Sequence, residues 1–78
     1  MSILPVLAAR IVLRVLLRAG FVIIRQVGSH IQLRHPVDPR IRVTVPNHAR
    51  DITRGLLSSI LKQAKLTPEM FLKFLKNL

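Results

Sequence analysis

The stretch HIQLRHPVDPRIRVTVP, His30 to Pro46, decides how the chain folds. Apolar residues fall at every second position on both sides of its centre. Ile31 and Leu33, then Ile41, Val43 and Val45, point one way, and His30, Gln32, Arg34, Arg40, Arg42 and Thr44 point the other. A period of two over five or six residues belongs to a strand with one buried face. The centre, His35 to Pro39, holds two prolines and Asp38 and reads as a hairpin loop. The two strands are therefore expected to be antiparallel neighbours. A slip of one residue would turn the arginines inward, so the register is strongly specified.

Outward from this hairpin, Phe21 to Arg25 is a β-branched, apolar run and predicts a third strand, joined through a Gly28-Ser29 turn. Before it, Ala8 to Ala19 predicts a helix that Gly20 ends. Its arginines, Arg10, Arg14 and Arg18, share one face, and the rest of its circumference is largely apolar. After Pro46, residues 47–51 read as a loop, and Asp51 or Thr53 is a candidate cap for a helix burying Ile52, Leu56, Leu57, Ile60, Leu61 and Ala64. Thr67-Pro68-Glu69 opens a last helix with a cap, a proline whose missing N–H does no harm, and an acid on the positive end of the dipole. Its expected buried stripe is Met70, Phe71, Phe74, Leu75 and Leu78. The expected fold class is α+β, in the order αβββαα. Helices pack on one face of a three-stranded antiparallel sheet, and residues 1–78 form a single domain.

Charge narrows the partners. Thirteen Lys and Arg face three acids, for a net charge of +10. Nine of the thirteen are Arg, whose fork matches phosphate. Such self-repulsion implies a polyanionic or acidic partner. Cysteine is absent, which excludes disulfides and thiolate metal sites and leans toward the cytoplasm. The apolar N-terminal third does not read as a membrane span, because three arginines interrupt it, each costing about 2.5–3.5 kcal/mol near a bilayer centre. Nor does it read as a cleavable signal.

The outward set of the two strands gathers His30 with Gln32, Arg34, Arg40 and Arg42. One reading is a solvated basic surface. The other is a polyanion-binding face containing a titratable group, since an unperturbed imidazole both takes and gives protons near neutrality. His48 lies in the loop before a helix N-terminus, where anions are held. His35 reads as structural. The spacing of the three histidines matches no familiar metal site, and no nucleophile triad or phosphate-binding glycine loop is present.

Taken together, Gly20-Phe21, Arg25-Gln26, Gly28-Ser29-His30, His35-Pro36, Val45-Pro46 with His48, and Ser59-Ile60-Leu61-Lys62-Gln63-Ala64 resemble the HicA, or YcfA-like, toxin family over about Leu4 to Leu75. The resemblance implies a fold like a double-stranded-RNA-binding domain. It implies a messenger-RNA endonuclease that needs no cofactor or metal, and a HicB-like antitoxin covering the active site. It puts the catalytic histidine at His30, behind the positioning turn Gly28-Ser29. Beside the resemblance, the place of His48 before a helix makes it the candidate second acid–base group. Arg25, Gln32, Arg34, Arg40 and Arg42 would contact RNA, as would Arg10, which stands where the family often has a lysine. The family commonly has Ala-Gly-Leu where this chain has Ala64-Lys65-Leu66, so Lys65 is expected in a left-handed conformation that costs about 1 kcal/mol. A non-catalytic RNA-binding module or an inactive homologue using the same basic face, a protein-interaction domain, or a membrane-surface peptide using the first helix are the alternatives.

Overall fold

The structure is a computed structural model and describes residues 3–47 and 51–78. Its elements are β1 (Leu7–Ala8), α1 (Ala9–Arg18), β2 (Val22–Val27), β3 (His30–Arg34), β4 (Arg42–Pro46), β5 (Asp51–Ile52), α2 (Arg54–Ala64) and α3 (Pro68–Lys76). Strands β2, β3 and β4 form an antiparallel sheet in that order, and β1 and β5 pair separately. The expected α+β fold with a three-stranded antiparallel sheet is the one observed, consistent with the αβββα order of the double-stranded-RNA-binding domain.

The alternation read from the sequence sets the sheet's two faces. Ile31 pairs with Val45 and Leu33 with Val43, and all four are buried. Helices α1 and α2 pack against β4. From α1 come Ala9, Val12, Val15 and Leu16, and from α2 come Leu57, Ile60, Leu61 and Ala64. The α2 set is the i, i+3, i+4, i+7 stripe of an amphipathic helix. Leu33 and Phe71 are fully buried, so truncating either to alanine costs about 3–5 kcal/mol. That is a large share of the roughly 4–12 kcal/mol expected for a domain of this size.

Both long helices end alike. In α1, Gly20 N–H donates to Leu17 O and Phe21 N–H to Leu16 O, with Gly20 at φ +101°. In α2, Lys65 N–H donates to Lys62 O and Leu66 N–H to Leu61 O, with Lys65 at φ 60° and ψ 32°. This is the left-handed helix end, with a glycine in one case and a lysine in the other.

Several expectations are corrected. Ile52 is buried in β5, not in a helix, and Asp51 is its strand neighbour, so Thr53 caps α2 by accepting from Leu56 N–H at 3.2 Å. Leu56 is exposed, because the buried stripe of α2 begins at Leu57. Met70 and Leu78 are also exposed, and Leu72 joins Phe71, Phe74 and Leu75 on the inner side of α3. β4 starts at Arg42, not Arg40. β2 runs on to Val27, and its register against β3 shifts between Ile23 and Arg25. No helix among the described residues is long and apolar enough to cross a membrane.

Candidate nucleic-acid interface

Cross-strand partners in a sheet share a face, so the register defines three rows on the side away from the helices. Val27, His30 and Pro46 form one row, Arg25, Gln32 and Thr44 the next, and Val22, Arg34 and Arg42 the third. Residues 25, 30 and 42 are exposed, and residues 32, 34 and 44 are partly so. The structure therefore brings together His30, Arg25, Gln32, Arg34 and Arg42 on one open face.

The turn before His30 is braced. Gly28 has φ +58°, the positive value that a two-residue hairpin turn needs at its first position. Gln26 Nε2 donates to Gly28 O at 3.0 Å, and Asn47 N–H donates to Ser29 O at 2.6 Å. One bond comes from the strand that enters the turn and the other from the residue after β4. His30 thus leaves a turn tied to both neighbouring strands.

The arginines of this face are also steered. Arg25 Nε donates to its cross-strand partner Gln32 Oε1 at 3.1 Å. Arg34 Nη1 donates to His35 O and Arg42 Nε to Pro39 O, each at 3.2 Å. Each bond uses one of the five N–H donors of a guanidinium, leaving the fork able to take a phosphate. On the far edge, Thr44 N–H donates to Gln63 Oε1 of α2 at 3.1 Å, which covers part of the open edge of β4.

Two predicted contacts lie elsewhere. Arg40 belongs to the loop before β4, where its Nε and Nη2 meet Asp38 Oδ1 and Oδ2 at 3.0 Å each. The pair holds the Asp38 carboxyl below its ordinary range, first through the Arg40 side chain and then through the Arg40 N–H. Arg10 is on the exposed side of α1, in the helical layer and not on the sheet face. His48 lies outside the described residues. No three metal-ligating side chains come together among the described residues.

His35 has a structural task. Its Nδ1 accepts from Val37 N–H and Asp38 N–H, each at 3.1 Å, so that nitrogen carries no proton. Its ring stands edge-on to Phe21, with centroids 5.5 Å apart and an interplanar angle of 87°. This one side chain organises the β3–β4 loop and anchors it to the core. The bracing roles of Gln26 and Gln63 were not legible in the sequence, because a glutamine gives no signal of which backbone group its amide will meet; nor was that of Asn47, whose bond is made by its backbone N–H and depends on the path of the chain after β4.

These features define a small α+β domain presenting a basic sheet face with an imidazole at its turn end. Residues 9–66 match the family described as HicA toxin of bacterial toxin-antitoxin. The chain belongs to this family and is the toxin type of a toxin–antitoxin pair, which implies an antitoxin partner. No curated protein matches the chain.

Proposed function

We propose that the protein is an endoribonuclease that cleaves messenger RNA in the cytoplasm, with His30 moving the proton. The observation that carries the reading is the position of His30. It is exposed at the mouth of β3, behind a turn braced at both carbonyls, on the same face as Arg25, Arg34 and Arg42. A phosphate-binding surface needs the arginines but no imidazole, whereas breaking RNA needs a group that exchanges protons at neutral pH.

The chemistry follows from RNA's own nucleophile. The ribose 2′-oxygen attacks the adjacent phosphorus and loses its proton. The bond to the 5′-oxygen breaks, and that oxygen gains a proton. The products are a 2′,3′-cyclic phosphate and a 5′-hydroxyl, so atoms and charge balance without a cofactor. His30 serves as base to the 2′-hydroxyl or as acid to the 5′-oxygen, worth about 10²–10⁴-fold. Arg34, Arg42 and Arg25 stabilise the charge that grows on the phosphoryl oxygens, and Gln32 holds Arg25 in place. His48 is the candidate for the complementary proton transfer. A HicB-like antitoxin blocks the reaction by covering the face.

The test is cleavage of a messenger transcript by the wild type and by His30→Ala. The variant is expected to lose cleavage by at least about a hundredfold while keeping its unfolding midpoint and RNA affinity. Undiminished cleavage removes His30 from the mechanism. A substrate with 2′-deoxyribose at the cut site is expected to resist, and its cleavage would exclude internal attack. If no cleavage occurs but binding weakens steeply with salt, the face is a non-catalytic RNA-binding surface.

A further inference from the structure

Helix α1 carries a charged feature that the sheet face does not use. Arg10, Arg14 and Arg18 are all exposed, while Val12, Val15 and Leu16 of the same helix are buried. Four residues advance a helix by about 6 Å, so the three guanidinium groups form a ladder about 12 Å long. Like charges at this spacing oppose helix formation. Arg10 also sits at the positive end of the dipole, in a helix with no acid in its first turn and no side-chain cap bond. Among the described residues, none of the three guanidinium groups makes a hydrogen bond or ion pair. Only Arg18, in the last turn, gains from the helix dipole; among the described residues no acid pairs with the ladder.

Beside the last two rungs lies a shallow pocket of about 360 Å³, lined by Arg14, Leu17, Arg18 and Leu78. Leu17 and Leu78 are each 43% exposed. The site is an apolar floor flanked by two forked cations. An RNA strand would satisfy the cations and leave the leucines wet. A helix carrying carboxylates every fourth residue has the same rise per rung as α1, and one aliphatic side chain between them would fill the pocket. Helices crossing at about 20° keep such a register over two turns.

We propose that the exposed face of α1 docks an acidic amphipathic helix of the antitoxin partner. Its carboxylates pair with Arg10, Arg14 and Arg18, and an aliphatic side chain enters the pocket between Leu17 and Leu78. The proposal rests on family membership, which implies an antitoxin, and not on the chemistry of His30. The ladder faces outward from the helical layer, whereas His30 is on the opposite side of the sheet, so this contact holds the toxin at a second place.

The test uses the intact chain and a fluorescent stapled helical peptide with three glutamates at four-residue intervals and a leucine between them. A glutamine version of the peptide is expected to bind about tenfold more weakly or worse. Arg14→Glu with Arg18→Glu should weaken the glutamate peptide by a similar factor and gain affinity for a lysine version. Arg34→Glu with Arg42→Glu removes the same net charge from the sheet face and should leave peptide binding nearly unchanged. Equal weakening by the two double variants would reduce the effect to diffuse attraction and overturn the proposal. So would equal binding of the glutamate and glutamine peptides. An RNA duplex that loses as much affinity as the peptide on reversal of Arg14 and Arg18 would make the ladder a nucleic-acid track instead. If the reversal unfolds the chain, Arg14→Gln with Arg18→Gln gives the same reading with a smaller loss. RNA cleavage is measured alongside, so failure of the nuclease reading and failure of the docking reading are told apart.

Discussion

Replacing Lys65 with glycine should make this protein more stable. Lys65 is the described non-glycine residue with positive φ, at φ 60°. It ends α2 with the same pair of backbone bonds that Gly20 and Phe21 make at the end of α1. A side chain in this conformation costs about 1–2 kcal/mol relative to glycine. Glycine returns about 0.4–1 kcal/mol of that through the greater freedom of the unfolded chain. Loss of the lysine charge near the helix C-terminus takes about 0.3 kcal/mol more. The net gain is about 0.5 kcal/mol, a rise in Tm of roughly 2–4 °C for a domain this small. Thermal and urea unfolding followed by circular dichroism would show a higher midpoint with an unchanged urea slope. Lys65→Ala keeps the strain without the charge and should be neutral or slightly destabilising. Gly20→Ala is the reverse experiment. It should cost at least about 1 kcal/mol, since the added Cβ also stands 3.3 Å from Pro36 Cγ. A midpoint that stays put or falls in Lys65→Gly would refute the strain argument.

Other expectations follow from the same structure. Gly28→Ala meets nothing within 4 Å, so its cost of about 1–2 kcal/mol comes from φ alone; RNA cleavage should fall further than Gly20→Ala makes it fall, because this turn aims His30. His35→Ala removes two hydrogen bonds and an aromatic contact, and should lower stability by about 2–3 kcal/mol in urea unfolding. Arg40 lowers the Asp38 pKa, so its stabilising effect is present above the ordinary carboxylate pKa and is lost as pH falls through the depressed folded value. Asp38→Asn should therefore flatten the acid limb of a stability–pH curve, and an unaltered limb would show that the pair contributes nothing.

Much of the fold was legible because it depends on periods and local chemistry. The alternation from His30 to Val45 set which side chains face the core, since a pleated strand allows only two sides. Thr67 and Pro68 marked the start of α3, and Gly20 the end of α1, through conformations that few residues share. The gathering of His30 with Arg34 and Arg42 followed from the same alternation.

Tertiary structure decided what no period encodes. The two-residue ladder of Leu7 with Ile52 and Ala8 with Asp51 is too short for a pattern, and it moved Ile52 from a helix to a strand. Which apolar residues of α3 are covered depended on its neighbours, so Phe71 is buried while Met70 is exposed. Arg40 alternates correctly along the chain, yet β4 begins two residues later, at Arg42, because the proline-bounded loop turns there: Ile41 N–H donates to Asp38 O, and Arg40 is held by Asp38 two residues away. What the amino-acid order determined by itself is the polarity of each face. Which groups meet across space was settled only when distant segments packed, since a contact depends on both partners and a sequence pattern describes one.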